Sequence, residues 1–157
     1  MKATFGAGCF WHVEEIFKKT KGVKSTQVGY SGGIKQNPTY EDVCTDTTGH
    51  AESVQVDYDP EEIPYEELLK IFWGNHNPTT LNRQGPDVGT QYRSVVFFHT
   101  PEQEKAALEM KKKLSPMARE KFHEEIITEI KPAEKFYRAE EYHQQYFEKS
   151  NLLIKKK

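Results

Sequence analysis

Gly6-Ala7-Gly8-Cys9-Phe10-Trp11 is the stretch from which the rest of the chain is read. Upstream, Met1 to Phe5 is short and partly apolar, the pattern of a strand at an edge. Gly6 and Gly8 are then expected to break that strand and carry the backbone through a tight turn. Downstream, Phe10, Val13, Ile16 and Phe17 recur on one helical face, with Glu14, Glu15, Lys18 and Lys19 on the other. Cys9 therefore falls in the first turn of a helix. There the unpaired N–H groups and the positive end of the helix dipole favour a thiolate, the nucleophilic form of cysteine.

The composition narrows the classes of function. A chain of 157 residues is long enough for one domain with a real core and too short for two, so residues 1–157 are read as a single domain. A net charge of −2 with both signs interspersed gives no footprint for nucleic acid or an anionic membrane. No apolar run approaches the roughly 20 residues that cross a bilayer, and Met1 to Phe5 lacks the apolar core of a signal peptide. A cytoplasmic protein is expected, and a monomer. Thiols stay reduced there, so Cys9 and Cys44 read as reactive or buried rather than as a structural disulfide. Lys155-Lys156-Lys157 reads as a solvated end.

Taken in order, the pattern predicts a strand over Val23–Tyr30, turning out at Ser31-Gly32-Gly33, and a long loop from Ile34 to His50. Ser53 to Tyr58 alternates as a strand with one buried face. A helix follows Pro64, with Tyr65, Leu68, Leu69, Phe72 and Trp73 on one side and Gly74-Asn75 as its stop. Asn77 to Gln91 is irregular. Arg93 to His99 has the continuous apolar run of a central strand. Thr100-Pro101-Glu102-Gln103 has the layout of a capping box, opening a helix expected to end near Leu114. Ser115-Pro116 closes it, a last strand covers Ile126–Ile130, and Glu140 to Leu153 is expected as a short helix with an extended tail. This order describes an α/β (α+β) two-layer sandwich: a mixed sheet with a ferredoxin-like split βαβ core and an extended C-terminal segment.

A reactive cysteine needs groups to stabilise developing charge, and the loops supply them. Glu52 stands where a loop enters a strand, on the same face as Val54 and Val56, so its carboxyl is expected to be desolvated and to donate a proton near neutrality. Tyr40 and Tyr92 are core aromatics or hydroxyl donors for an oxyanion. Of Phe10 and Trp11, one follows the buried stripe and the other lines a cleft beside the sulfur. A zinc site from Cys9, His12, Cys44 and His50 has acceptable ligand types but poor spacing. A sheet stacking single-stranded nucleic acid lacks the basic face it needs.

Gly8-Cys9-Phe10-Trp11, Val28-Gly29-Tyr30-Ser31-Gly32-Gly33, Asn37-Pro38-Thr39-Tyr40, Thr48-Gly49-His50-Ala51-Glu52, Arg83-Gln84-Gly85, Asp87-Val88-Gly89-Thr90-Gln91-Tyr92-Arg93-Ser94 and Ala139-Glu140-Glu141-Tyr142-His143-Gln144-Gln145-Tyr146 together resemble peptide methionine sulfoxide reductase A, in order along the chain. The resemblance implies that Cys9 attacks the sulfur of a methionine S-sulfoxide, that Glu52 protonates its oxygen, and that the Tyr40 and Tyr92 hydroxyls hold that oxygen. It also implies that Phe10 and Trp11 wall the methyl pocket, that Asp87 belongs to the polar side, and that Cys9 ends as a sulfenic acid. Residues 139–146 would pack close by, with His143 behind the site.

Two departures from the family pattern stand out. His12 replaces the small residue that commonly follows the tryptophan, and no recycling cysteine follows Cys44. The expectation is a single-thiol enzyme of oxidised-protein repair, with no bound cofactor or metal. An external thiol such as thioredoxin, glutaredoxin, glutathione or dithiothreitol would regenerate it, with Cys44 as the alternative.

Overall fold

Strand β1 (Lys2–Ala7) buries Ala3, Phe5 and Ala7 on one face of the sheet. Helix α1 (Phe10–Lys18) returns the chain to β2 (Val23–Ser31), and the five-residue α2 (Tyr40–Cys44) precedes β3 (Ala51–Tyr58). Then come α3 (Tyr65–Gly74), the two-residue strands β4 (Arg83–Gln84) and β5 (Asp87–Val88), a 3-10 turn at Thr90–Tyr92 and β6 (Ser94–Phe98). The chain ends with α4 (Pro101–Phe122), β7 (Glu129–Pro132), β8 (Tyr137–Arg138), a second 3-10 turn at Glu141–His143 and α5 (Tyr146–Lys155). This computed structural model describes residues 1–155, and side chains as far as residue 150. The expected solvation of Lys155 to Lys157 lies outside those side chains.

The main sheet runs β7-β6-β1-β3-β2-β8, with β6 and β7 parallel and the other neighbours antiparallel. Because β3 inserts between β1 and β2, the strands joined through α1 are parallel but not adjacent, which is the split βαβ arrangement. Helix α1 packs on β2 and β3, α3 on β1, and α4 on β6 and β7. The centre is aromatic: Phe5 lies 5.2 Å from Phe17 and 5.1 Å from Phe72, ring to ring. The two-layer mixed sheet expected from the sequence is therefore present.

Several local expectations are corrected. β1 is interior, paired on both sides, and Gly6 belongs to it: a Cβ there would sit 2.8 Å from Val95 Cγ1. The turn falls to Gly8, whose φ of +93° favours glycine. The loop over residues 34–50 contains α2, started by a capping box in which Thr39 and Asp42 bond each other's backbone. Helix α4 runs through Ser115-Pro116, because proline's own φ is helical and the carbonyl it strands belongs to exposed Lys112. The last expected strand is displaced to Glu129–Pro132, and the C-terminal segment ends in a helix rather than an extended tail.

The largest correction concerns Glu14, assigned by periodicity to the polar face of α1 but 1% exposed. Its carboxylate accepts from the Thr26 hydroxyl (2.7 Å), the Gln145 N–H (2.8 Å) and Gln145 Nε2 (2.9 Å). A buried carboxylate is tolerable only when bonded in this way. It ties the C-terminal segment to the first helix. Glu14→Ala strands three donors and is expected to cost about 2–3 kcal/mol in urea unfolding and to speed proteolysis within residues 139–146. A loss under about 0.5 kcal/mol, the range of an ordinary surface substitution, would show that the segment does not depend on this carboxylate.

Candidate active site

Gly8 turns the chain out of β1, and Cys9 caps α1 with a non-helical backbone (φ −57°, ψ 120°). Its thiol is half-buried at that junction. Burial raises the Cys9 pKa, the Trp11 and His12 N–H groups aimed at the sulfur oppose it, and the charges of Glu52 and Asp87 add to it. The net result is about 11. The helix start does favour the thiolate, as expected, but desolvation outweighs it, so the resting sulfur is a thiol.

The antiparallel register of β1 on β3 brings the start of β3 beside the end of β1. Glu52, the second residue of β3, is 2% exposed. Its Oε1 accepts the Phe10 N–H at 3.3 Å, one residue from Cys9, while Oε2 is buried with no partner among the described residues. Burial pushes the Glu52 pKa up to about 8, with the Phe10 N–H opposing and the Asp87 charge adding. Near neutrality this is a carboxylic acid with no acceptor for its proton among the described residues.

Two hydroxyls share that neighbourhood. Tyr40 opens α2, and burial, then the Cys44 sulfur, then Glu52 and Tyr92 raise its pKa. Tyr92 closes the 3-10 turn and is pushed up to about 12 by burial, then by Glu52, Asp87, Cys44 and Cys9. Both stay protonated and able to donate. Asp87, half-buried in the β4–β5 hairpin, is felt by Cys9, Glu52 and Tyr92 alike. Cys44 is exposed at the end of α2.

On the aromatic side, Phe10 follows the buried stripe and Trp11 does not. Phe10 is buried against Tyr30 (5.8 Å) and His143 (5.2 Å), while Trp11 stays half-buried. Tyr146 stacks on the indole at 3.7 Å and 6°, and Trp11 Nε1 donates to His143 Nδ1 at 3.0 Å. Neutral His143 thus carries its hydrogen on Nε2. His12 is exposed beside Phe147. The zinc alternative fails on geometry, since His50 Nδ1 takes the Gly33 N–H and Nε2 meets the Lys35 carbonyl. Among the described residues no three metal-ligating side chains converge. An apolar groove of about 570 Å³ beside Trp73, Leu114 and Phe122 shares no lining residue with this site.

A sequence model of peptide methionine sulfoxide reductase matches residues 1–156. The chain belongs to that family. A Methanothermobacter thermautotrophicus peptide methionine sulfoxide reductase MsrA is 61% identical over 149 residues, 95% of this chain and 87% of that one. Methionine sulfoxide reductase A of Corynebacterium diphtheriae superposes with a TM-score of 0.91 at 40% identity, over 96% of this chain and 75% of that one. Mxr1 of Saccharomyces cerevisiae in reduced form gives 0.87 at 39%, over 96% and 86%. The same yeast protein in complex with Trx2 gives 0.65 at 29%, over 93% and 84%. The protein is an oxidoreductase, a peptide-methionine (S)-S-oxide reductase. Among the described residues no helix is long and apolar enough to cross a membrane.

The fold thus brings Cys9, Glu52, Phe10, Trp11, Tyr40, Asp87 and Tyr92 around one junction. Sequence reasoning missed Glu140, whose Oε2 accepts the Tyr40 N–H at 2.9 Å, and Tyr146 on Trp11. Both lie in the stretch whose closeness to the site rested on family resemblance alone, and no periodicity marked either.

In a Cys44→Ser background, iodoacetamide should label Cys9 slowly at pH 7, with the rate rising toward an apparent pKa near 11. Glu52→Gln removes one of the charges that raise that value and should move it down. The same variant tests the cost of burying Glu52. A pKa of about 8 in the folded chain against an ordinary 4.5 means stability is fullest below pH 4.5 and is lost as pH rises through 8. Glu52→Gln should therefore raise Tm by several degrees at pH 9 and by little at pH 5.

Proposed function

We propose that Cys9 and Glu52 carry a two-electron reduction of methionine S-sulfoxide, free or in an oxidised protein, within one catalytic domain spanning residues 1–157. The observation behind this reading is the buried Oε2 of Glu52, without a partner among the described residues, on a carboxyl whose Oε1 takes the N–H of the residue next to Cys9. Phe10 and Trp11 form the wall for the terminal methyl group, and the Tyr40 and Tyr92 hydroxyls receive the sulfoxide oxygen, with Asp87 on the polar side. A pyramidal sulfur fixed by methyl, oxygen and nucleophile has one productive hand, which fits selectivity for the S epimer.

The thiol loses its proton as the substrate seats, and the Trp11 and His12 N–H groups stabilise the thiolate that forms. Cys9 sulfur attacks the sulfoxide sulfur while Glu52 protonates the oxygen, which makes a poor leaving group a good one. Attack forms a bond between Sγ and the substrate sulfur. The S–O bond then breaks and the freed hydroxyl oxygen adds to Sγ. The Sγ–S bond breaks with its electron pair going to the substrate sulfur, which leaves as a thioether while Cys9, two electrons poorer, is left as a sulfenic acid. The thiol proton goes to solvent as the substrate seats, and Glu52, having given its proton to the oxygen, takes one back from solvent, so the carboxyl ends as it began.

With no cysteine after Cys44, an external thiol is inferred to attack the sulfenic acid and then the mixed disulfide. The complex of yeast Mxr1 with Trx2 supports a thioredoxin in that role. Glutaredoxin with glutathione, or dithiothreitol, are the other thiols of the same chemistry.

Turnover of the separated S and R sulfoxides with dithiothreitol tests the reading. The parent should act on the S epimer, Cys9→Ser should be inactive, and Glu52→Gln should lose about 10²- to 10⁴-fold in kcat, the usual worth of a general acid. Full activity in Cys9→Ser would refute it. After treatment with methionine sulfoxide without reductant, mass spectrometry should find Cys9 oxidised without a Cys9–Cys44 disulfide. That disulfide as the main product would transfer regeneration to Cys44.

A further inference from the structure

Helix α2 is only five residues long, too short to hold itself, yet it carries the Tyr40 hydroxyl beside the site. Its capping box fixes the turn internally, Val43 seats the helix in the core, and Glu140 attaches its start. Oε2 accepts the Tyr40 N–H at 2.9 Å, and Oε1 accepts the hydroxyl of Tyr30 at 3.0 Å. Tyr30 is buried in β2 and packs on Phe10. One carboxylate therefore ties the start of α2 to the sheet behind the reactive thiol.

Glu140 is itself held in place. The Ala139 N–H donates to the Val28 carbonyl at 2.9 Å. Gln144, fully buried, bonds both the Val28 N–H (2.9 Å) and the Val28 carbonyl (2.8 Å), and reaches the Ala139 carbonyl at 2.9 Å. The segment that bears Glu140 is stapled to one strand position. Burial would raise the Glu140 pKa, but the Tyr40 N–H, its own backbone, the Tyr30 hydroxyl and His143 hold it below the usual carboxylate range. It accepts both bonds as an anion.

We propose that Glu140 is a positioning residue that sets the Tyr40 hydroxyl where the sulfoxide oxygen must lie, so that docking of residues 139–146 on β2 is a condition of catalytic competence. The inference rests on the oxygen-binding role given to Tyr40 above. The segment acts through two separate contacts: His143 and Tyr146 set the aromatic wall, and Glu140 sets the polar one.

A mutant cycle on the full chain tests this, with the S-sulfoxide and dithiothreitol. Glu140→Ala should lower kcat about tenfold with KM changed less than about threefold, the signature of a mispositioned group rather than lost binding. In a Tyr40→Phe background the same change should cost less than about twofold, because the hydroxyl it serves is gone. Glu140→Gln should recover most of the activity, since its one oxygen can still accept the Tyr40 N–H while its amide donates to Tyr30. If Glu140→Ala fails to fold, Glu140→Asp replaces it in the cycle: it keeps the charge but is one methylene too short to span both partners.

Equal losses in the two backgrounds would overturn the role of Glu140 while leaving that of Tyr40 intact. Parental turnover in Tyr40→Phe alone would remove the Tyr40 role, and Glu140 would fall with it. Parental turnover in Glu140→Ala, with Tyr40→Phe impaired, would overturn the Glu140 proposal by itself.

Discussion

The hydrogen bond from the Phe10 N–H to Glu52 Oε1 joins the starts of two elements far apart in sequence, helix α1 and strand β3, and the remaining site groups are arranged around it. It brings an acid next to Cys9 without an ion pair, because the partner is a helix-start N–H that has no bond of its own within the helix. A lysine or arginine in its place would hold the carboxyl ionised. A single neutral donor leaves Glu52 a raised pKa and an unpartnered Oε2. The sheet makes this possible, since β1 is interior and cannot shift against β3 without breaking its pairing with β6.

The second requirement is a wall of side chains that the βαβ core does not itself supply. Trp11 points off the buried stripe of α1 and packs only in part against the core. Residues 139–146 supply partners for its ring, and they lie on β2 through side-chain amides and carboxylates rather than a long strand. Glu14, Gln144 and Gln145 are buried or half-buried for this reason: Gln144 and Gln145 bond backbone groups of Val28 and Thr26 in β2, and Glu14 takes the Thr26 hydroxyl and Gln145. A segment held by side-chain hydrogen bonds can be set accurately without adding to the apolar core.

These two arrangements differ in how readable they are. The Gly8 turn, the α1 stripe and the alternation of β3 are local patterns, so the place of Cys9 and the inward parity of Glu52 follow from spacing alone. Glu14 shows the limit: periodicity sends a carboxylate to the polar face, and only the C-terminal segment, 131 residues away at Gln145, converts that face into an interior. Pro116 shows another, because a stop signal fails where the freed carbonyl is exposed. The ionisation of Cys9 meets a related limit, since a helix start is visible in sequence and the depth of burial that opposes it is not.

That burial gives the site its chemistry. The Glu52 charge adds to the burial that raises the Cys9 pKa, so two anions side by side are disfavoured. On the proposed mechanism the reactive state needs one proton on the carboxyl and none on the sulfur. Near neutrality the resting pair holds one proton more than that, and well above pH 8 the carboxyl proton is lost before the thiol's. A substrate whose sulfur bears positive charge and whose oxygen bears negative charge reverses both preferences at once: it stabilises a thiolate facing the sulfur and a carboxylic acid facing the oxygen. On that mechanism the site is a weak nucleophile when empty and an active one when a sulfoxide fills it, which would keep an oxidisable thiol from reacting before its substrate arrives.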